Sequence, residues 1–306
     1  MSRPRPPQLL SEVRTLWPAG ATLGEGTCWS PGKQALYWVD ILEHRLHRYT
    51  PATGRRETWT FDDTISAVAE RETASGLLVT LRRGFAFFDP DAPDPAASLV
   101  RLEEPEPERE GNRFNDGKCD ARGRFWGGTM DFDCEAPTGA LYRYDGCGRC
   151  ERVLDARFPV TNGPTWAADG RTMYFNDTDR RLIYAFDFDM ERGTLGGQRV
   201  WLKFGREDGY PDGMTTDADG RLWVAHWGAS CVTCHDPVSA DVLLRVPLPT
   251  PHITNVCFGG PDLRTLYITS ARYRLPEERL RQDRWAGALF CVETDAQGMP
   301  PARFAG

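Results

Sequence analysis

The segment DADGRLWVAHW, residues 217–227, joins a turn built on Asp and Gly to a run of apolar and aromatic residues typical of a strand. Four segments have the same form: SPGKQALYWVD at 30–40, DARGRFWGGTMD at 120–131, AADGRTMYFND at 167–177 and GPDLRTLYITS at 260–270. A weaker sixth, ETASGLLVTL, occupies residues 72–81. One unit is therefore repeated six times, and such a repeat decides the architecture.

The repeat has a nearly constant period. The second apolar residue of each segment serves as an anchor, and successive anchors lie 41, 48, 48, 49 and 44 residues apart: Tyr37, Leu78, Trp126, Tyr174, Trp223 and Tyr267. Further strand signals that end in turn residues follow most anchors, as in GALYRYDG at 139–146, and indicate hairpins. Four-stranded units repeating at roughly 40 to 50 residues are typical of β-propeller blades.

We therefore predict an all-β protein, a six-bladed β-propeller with a central metal site. Residues 1–306 are expected to form a single domain, with about residues 1–17 as an N-terminal extension or closing strand. The 30 Gly and 23 Pro agree with a turn-rich β chain. Only residues 277–285 have the spacing of a short helix, so an alternating β/α architecture is disfavoured.

Composition narrows the range of partners and compartments. The net charge of −7 and the scattered Lys and Arg argue against nucleic acid. The longest apolar run is far below the roughly 20 residues that span a bilayer, so no membrane association is predicted. Since no signal-peptide pattern follows the N-terminus and the nine Cys are best interpreted as reduced thiols, we expect a cytoplasmic protein. A monomer that acts on a small molecule is the corresponding expectation.

Polar residues recur at one level of the repeat. Counting back 11 or 12 residues from each anchor reaches Glu25, Ser66, Asn115, Asn162, Asp212 and Asn255. The innermost strands of a propeller run beside a central channel, so these positions are expected to face one another around its mouth. Several of them precede Gly, which permits unusual backbone angles or a close approach.

Three of these residues suit a metal ion. Glu25, Asn162 and Asp212 offer two carboxylates and an amide oxygen, a set that favours Ca²⁺, Mg²⁺ or Mn²⁺ and tolerates Zn²⁺ or Fe²⁺. Three protein ligands leave open positions, at which a metal can polarise a carbonyl and activate water for ester or lactone hydrolysis. The alternative is that these residues only form turns, because Asn-Gly and Asp-Gly are common turn dipeptides.

Five stretches closely resemble the SMP-30/gluconolactonase family of regucalcin-like proteins and bacterial sugar lactonases. They are LGEGTCWS at 23–30, NRFNDGKCDARGRFWGGTMD at 112–131, TNGPTW at 161–166, PDGMTTDADGRLWVAHW at 211–227 and CFGG at 257–260. The resemblance covers nearly the whole chain, in order. It implies a six-bladed propeller with one divalent metal in the channel and hydrolysis of sugar lactones.

The resemblance also implies roles for individual residues. Glu25, Asn162 and Asp212 match the family's metal ligands, and Asp212 also matches its candidate general base. Arg113 and Asn115 match substrate-contacting residues, and guanidinium and amide groups can hydrogen-bond a lactone. A substrate-contacting Glu is expected just after the GTM segment, where this chain has Asp131-Phe132-Asp133. The simplest register puts Asp133 in that role, with a shorter carboxylate that could change sugar preference.

Two other features suggest alternatives. The segment from Cys231 to His235 fits the CxxCH pattern of covalent haem, but in a strand residues three apart point to opposite faces, so we expect neither haem nor zinc there. His226 is the one His with a plausible place in the channel, although a hydrogen-bonded core imidazole is an equal alternative. The Arg- and Glu-rich residues 272–285 fit either part of a lid or a solvated surface helix.

The sequence therefore predicts a lactonase, a carboxylic ester hydrolase that converts sugar aldonolactones to aldonic acids with one divalent cation. Two alternatives remain open. One is a propeller hydrolase of another ester class, such as organophosphates. The other is a non-enzymatic calcium-binding propeller.

Overall fold

Twenty-four strands form six four-stranded antiparallel sheets in the structure, a computed structural model that describes residues 5–306. Strand β1 spans Arg14–Trp17. Blade 1 contains β2 (Gly24–Ser30), β3 (Ala35–Asp40), β4 (Arg45–Thr50) and β5 (Arg55–Thr60), and blade 2 contains β6 (Ile65–Glu70), β7 (Leu77–Leu81), β8 (Phe85–Phe88) and β9 (Val100–Arg101). Blade 3 contains β10 (Asn112–Cys119), β11 (Phe125–Asp131), β12 (Gly139–Tyr144) and β13 (Cys150–Phe158). Blade 4 contains β14 (Thr161–Trp166), β15 (Thr172–Asp177), β16 (Leu182–Asp189) and β17 (Thr194–Lys203). Blade 5 contains β18 (Tyr210–Thr216), β19 (Leu222–Trp227), β20 (Cys231–His235) and β21 (Val242–Pro247), and blade 6 contains β22 (Ile253–Gly259), β23 (Thr265–Ser270) and β24 (Leu289–Glu293).

The first strands of the blades form a closed ring. Each contacts the next, from β2 through β6, β10, β14 and β18 to β22, which returns to β2. All six anchors of the repeat lie on the second strand of their blade. The prediction of a six-bladed β-propeller is therefore confirmed.

Both chain ends contribute to the sixth blade. Strand β1 pairs antiparallel with β24, where Arg14 lies opposite Cys291, and so supplies the outermost strand of that sheet. Residues 1–4 of the predicted N-terminal extension lie outside the described residues.

The repeated turn has a specific physical role in blades 3 and 5. One carboxylate oxygen of Asp217 accepts backbone N–H bonds from Asp219 and Arg221, and the other accepts from Arg221 Nε and Trp223 Nε1. Asp120 makes the equivalent bonds in blade 3. In both blades one Asp carboxylate closes the turn and also accepts the N–H of a buried indole. This double use explains why Asp, Arg and Trp recur at this spacing.

The core lies between neighbouring blades. In the layer between blades 5 and 6, Trp223 packs edge-to-face on Phe258 with ring centroids 5.4 Å apart, and Phe290 belongs to the same buried cluster. Fully burying a large apolar side chain contributes roughly 1.5–3 kcal/mol. These layers hold the inner strands, and the residues at their mouth, in fixed relative positions.

Helices are short and peripheral. Helix α1 spans Glu277–Gln282 without buried residues, and Ala96–Ser98 forms a 3₁₀ turn. No helix within residues 5–306 has the length and apolar character needed to cross a membrane.

Candidate active site

Each inner strand carries a break in register at the level of its recurrent polar residue. The pairing shifts after Glu25 in β2, around Ser66 in β6, around Asn115 in β10, after Asn162 in β14, around Asp212 in β18 and around Asn255 in β22. A bulge bends its strand and changes the direction of side chains, and bulges are common beside active sites. Six aligned bulges thus place polar groups around one end of the ring.

The glycines that follow these residues allow close packing around the channel. A Cβ on Gly213 would lie 2.3 Å from Nδ2 of Asn255. Gly26 has φ +59° and its Cβ would lie 2.7 Å from the carbonyl oxygen of Ser66. Only glycine is compatible with such approaches, so the polar residue and Gly form a structural pair.

A cleft of about 210 Å³ opens at this end of the channel. Five predicted site residues line it: Glu25, Arg113, Asn115, Asn162 and Asp212. All five are buried. Tyr210, Trp227, Tyr273 and Arg274 form other parts of the wall, and of these the sequence interpretation considered only Tyr273 and Arg274, as part of the lid alternative.

Glu25 and Asp212 are held on one side of the site. Oε2 of Glu25 accepts hydrogen bonds from Nδ2 of Asn255 at 3.0 Å and from the N–H of Gly26 at 3.2 Å. The side chain of Asp212 also interacts with that of Glu25, whose charge is the strongest that acts on the Asp212 carboxyl. Two carboxyls in such contact share a proton or a cation, because two bare carboxylates repel.

The amide of Asn162 is held by hydrogen bonds at both of its ends. Its Nδ2 donates to Oγ1 of Thr178 at 2.9 Å, and its Oδ1 accepts from Nδ2 of Asn115 at 3.0 Å. Oδ1 of Asn115 in turn accepts from Arg113 at 2.6 Å. An amide oxygen has two lone pairs, so Oδ1 of Asn162 keeps one for a further partner.

Asp116 is a site residue that the sequence interpretation missed. Its Oδ1 accepts the N–H of Gly117 at 2.8 Å, and its Oδ2 accepts the N–H of Gly163 at 2.9 Å. The buried carboxylate influences both Glu25 and Asp212 electrostatically. The Asp-Gly dipeptide, shared with Asp212-Gly213, was the available signal.

Burial and mutual repulsion disfavour the charged forms of these carboxyls. Burial, followed by the charge of Asp116, raises the pKa of Glu25 to about 8. The pKa of Asp212 is raised well above its ordinary value by burial and then by Glu25 and Asp116. Burial also raises the pKa of Asp116, which Lys118 counteracts, and burial lowers the pKa of Arg113. In the absence of a cation, the site therefore retains protons.

The donor set fits a hard divalent cation. Oxygen ligands from Glu25, Asn162 and Asp212 line the same cleft, and a dication would relieve the repulsion between the carboxyls. In the described chain, no three His, Cys, Asp or Glu side chains form a group that could hold a metal. A site here therefore depends on the amide of Asn162 as well as on carboxylates.

The side chain of Asp133 does not lie in the cleft, where its predicted role as a substrate contact would put it. Its side chain is exposed, and it is not among the described residues that line the cleft. Oδ2 of Asp131 accepts the N–H groups of Glu135 and Ala136, which turns the loop so that Cys134 lines the cleft instead. The carbonyl oxygen of Asp133 accepts a hydrogen bond from Arg274, a residue of the cleft wall, at 3.0 Å.

The lid and helix alternatives for residues 272–285 each describe part of the segment. Tyr273 and Arg274 line the cleft, whereas helix α1 buries no residue. Arg274 reaches from blade 6 to the carbonyl of Asp133 in blade 3 and thus joins two loops across the mouth.

His226 and the CxxCH segment lie away from the cleft. His226 is a buried imidazole whose Nδ1 bonds the carbonyl of Asp208 at 2.7 Å and whose Nε2 bonds Oγ1 of Thr233 at 2.6 Å. The channel placement of His226 is therefore wrong and the core alternative is right. On β20, Cys231 lies opposite His226 of β19 and Cys234 lies opposite Trp223. The two cysteines are three residues apart, so their side chains point to opposite faces of the sheet. Both are free thiols.

The family description SMP-30/Gluconolactonase/LRE-like region matches residues 23–272. The chain belongs to this family. A Bacillus subtilis protein with the provisional name sugar lactone lactonase YvrE is 34% identical over 286 residues, which are 94% of this chain and 96% of that protein. Pentonolactonase XacC of Haloferax volcanii is 35% identical over 285 residues, or 92% and 94% of the two chains.

A solved structure extends the similarity to the whole fold. Regucalcin of Agrobacterium tumefaciens, described as a calcium-binding protein, superposes with a TM-score of 0.88 at 27% identity and covers 100% of both chains. The family resemblance deduced from the five sequence stretches is thus confirmed.

Proposed function

We propose that this protein hydrolyses sugar lactones, converting an aldonolactone to its aldonic acid, with one divalent cation held by Glu25, Asn162 and Asp212. The observation that carries the proposal is the meeting of these three oxygen donors with the buried Arg113 in one cleft. Relatives named for sugar lactone and pentonolactone hydrolysis support the substrate class.

The polar side chains in the wall of the cleft bind and orient the lactone. Arg113 is anchored through Nη1 to the carbonyl of Phe114 and to Oδ1 of Asn115, and its Nε has no hydrogen-bond partner among the described residues. Its guanidinium can therefore donate to lactone hydroxyls or to the ring oxygen. Asn115 has both amide N–H groups occupied, by the carbonyl of Thr161 and by Asn162, so it mainly orients Arg113 and Asn162.

The hydrolysis needs a base for water and an acid for the leaving oxygen. A cation held by Glu25, Asn162 and Asp212 would supply Lewis-acid polarisation of the lactone carbonyl. We infer that Asp212 accepts a proton from the attacking water, so that a C–O bond forms at the acyl carbon. The bond from that carbon to the ring oxygen then breaks, and the proton returns to this oxygen as the new hydroxyl. Asp133, with its exposed side chain, takes no part in this scheme.

The calcium-binding propeller remains a second candidate, because the Agrobacterium relative is described as a calcium-binding protein. The two functions differ in turnover. A hydrolase of organophosphate-type esters would share the donor set but differ in its substrate.

The test uses metal-stripped protein. Acid release is measured on gluconolactone, xylonolactone, arabinonolactone and galactonolactone, with Ca²⁺, Zn²⁺, Mn²⁺, Mg²⁺ or Fe²⁺ restored in turn, and beside them a paraoxon-like ester. We expect turnover of at least one lactone that depends on added cation. Binding of Ca²⁺ without turnover of any lactone would support the calcium-binding candidate. Faster turnover of the paraoxon-like ester would support the other ester class.

A further inference from the structure

A second cavity, of about 240 Å³, lies at the opposite end of the ring from the candidate active site. We call it the rear cavity. All six inner strands supply its wall with residues that come later along each strand than the site residues: 27–29, 68–69, 117–119, 165–166, 215–216 and 257–258. Residues 299–302 of the C-terminal segment complete it.

The rear cavity has a chemical character unlike that of the cleft. Large apolar residues form much of its wall, among them Trp29, Trp166, Phe188 and Phe258. Asp169, the one carboxylate among the described lining residues, is exposed and accepts the backbone N–H of Arg171. Ligands with many hydroxyl groups, such as a sugar lactone or its acid, would leave polar groups unpaired here.

Thiols in the wall add no negative charge. Cys28, Cys119 and Cys257 line the cavity as free cysteines. Burial raises the pKa of Cys28 to about 12 and that of Cys257 to about 11, and it raises the pKa of Cys119 as well. Each therefore behaves as a small neutral group near pH 7.

Lys118 gives this wall a single positive charge. Nζ donates one hydrogen bond, to the carbonyl of Met214 at 2.7 Å, whereas an ammonium has three N–H donors. Across residues 5–306 Lys118 has no ion pair, in contrast to Lys33, whose Nζ lies 2.5 Å from Asp91. The charge of Lys118 acts on Asp116, the nearest carboxylate along the strand, but Asp116 forms no ion pair with it in residues 5–306 and accepts two backbone N–H bonds instead.

We propose that the rear cavity binds a small amphipathic monocarboxylate, with its carboxylate at Nζ of Lys118 and its apolar body against the aromatic wall. One ammonium in apolar surroundings favours one negative charge, since the bond between them strengthens where water is excluded. The size is suitable, because an apolar cavity of roughly 150 Å³ can hold benzene. Benzoate is therefore an appropriate probe.

The experiment exploits the lysine content of the chain. The sequence has three lysines, Lys33, Lys118 and Lys203, so protein labelled with ¹⁵N-lysine gives three Nζ signals by NMR. Benzoate added to metal-free wild-type protein should shift the Lys118 signal saturably and leave the other two nearly unchanged. Benzyl alcohol, its neutral analogue, should bind at least about tenfold more weakly, a difference of about 1.4 kcal/mol.

Two variants form a matched pair. Lys118→Met keeps the length of the side chain and removes the charge, and calorimetry should show roughly a tenfold or greater loss of benzoate affinity. Lys203→Met removes an exposed charge and should leave the affinity unchanged.

Several results would overturn the proposal. They are an unshifted Lys118 signal, an equal and non-saturating shift of all three signals, and equal affinities for benzoate and benzyl alcohol. If Lys118→Met does not fold, the wild-type spectra decide the matter alone. Because metal-free protein is used and no lactone is present, failure here is independent of the proposed lactonase activity.

Discussion

Nδ2 of Asn115 donates to Oδ1 of Asn162 at 3.0 Å, so a residue of blade 3 fixes the amide of a candidate metal ligand in blade 4. Arg113 bonds the other end of the Asn115 amide at 2.6 Å. Two of the predicted substrate contacts, Arg113 and Asn115, and one predicted metal ligand, Asn162, therefore form one hydrogen-bonded chain. Replacements along this chain should have graded effects, from substrate binding at Arg113 to cation binding at Asn162.

Arg113→Ala tests the substrate end of that chain. Loss of a charged hydrogen-bond donor costs about 1.5–3 kcal/mol, so kcat/KM for a lactone should fall roughly 10- to 100-fold while the cation stoichiometry stays the same. Arg82→Ala is the control, because Arg82 also stacks on Phe132 but does not line the cleft. Lactone kinetics and metal analysis of both proteins provide the measurement. Loss of the cation from Arg113→Ala would contradict the division of roles.

Asp116→Asn tests the residue that the sequence interpretation did not select. The amide keeps the shape, but it removes a charge near Glu25 and Asp212 and puts an N–H group opposite that of Gly117 or Gly163. Cation affinity should therefore fall, by about tenfold or more. Calorimetric titration with Ca²⁺ and Mn²⁺ measures it. Asp133→Asn, an exposed change, should leave cation affinity unaltered, and equal losses in both variants would remove Asp116 from the site.

Most of the fold could be predicted from the sequence, because a period near 48 residues and a recurring Asp turn both repeat along the chain. It was less informative where a bulge breaks the alternation of side chains. In β10 the register shifts between Phe114 and Gly117, so Asn115 and Asp116 both contribute to the site. A strict two-residue period assigns neighbours to opposite faces and selects only one of them.

Loop geometry limited the prediction in a different way. The substrate-contacting role of Asp133 rests on the number of residues that separate it from the GTM segment. The path of this loop depends instead on the hydrogen bonds from the N–H groups of Glu135 and Ala136 to Asp131. For His226, the deciding contacts come from Asp208 and Thr233, which lie on other segments of the chain. Such contacts follow from tertiary packing, and the strand pattern alone does not contain them.

Cation binding should release protons. The pKa of Glu25 is raised from 4.5 to about 8 by burial and by Asp116 in the protein without a cation, so its carboxyl is mainly protonated near pH 6.5. A carboxyl whose pKa is higher in the folded protein than in the unfolded chain stabilises the fold when it is protonated. For Glu25 this contribution is complete below about pH 4.5 and is lost as the pH rises through about 8. The free energy of unfolding of cation-free protein should therefore fall over that window.

Titration in buffers with different ionisation enthalpies measures the released protons. We expect a release near pH 6.5 that diminishes above about pH 8, and cation affinity that rises with pH. Glu25→Gln, which has no proton to release at that position, should show a smaller release from whatever binding remains. Cation binding without any proton release would show that the carboxyls are already ionised.

Replacing Cys231 and Cys234 together by Ser should leave bound cation and lactone turnover unchanged. Both thiols lie on β20, outside the described residues that line the cleft. Cys234 belongs to the core, so some thermal stability should be lost, on the order of 1–3 kcal/mol for a hydroxyl without a good partner. Metal analysis and the absorbance spectrum check the prediction, and a stoichiometric loss of zinc or a haem band would refute it.

Asp212→Asn separates the ligand role of Asp212 from its proposed role as a base. The amide keeps an oxygen for the cation but loses most of the basicity, so cation affinity should fall modestly while turnover at saturating cation falls about 10²- to 10⁴-fold. Asn162→Ala is the matched variant, since this amide accepts no proton at neutral pH and its loss should act through cation binding. Excess cation should therefore partly restore turnover in Asn162→Ala and not in Asp212→Asn. Full recovery of Asp212→Asn would make Asp212 a ligand only, and the base would then be sought in Glu25 or Asp116, because His226 is bonded within the core and Asp133 is exposed.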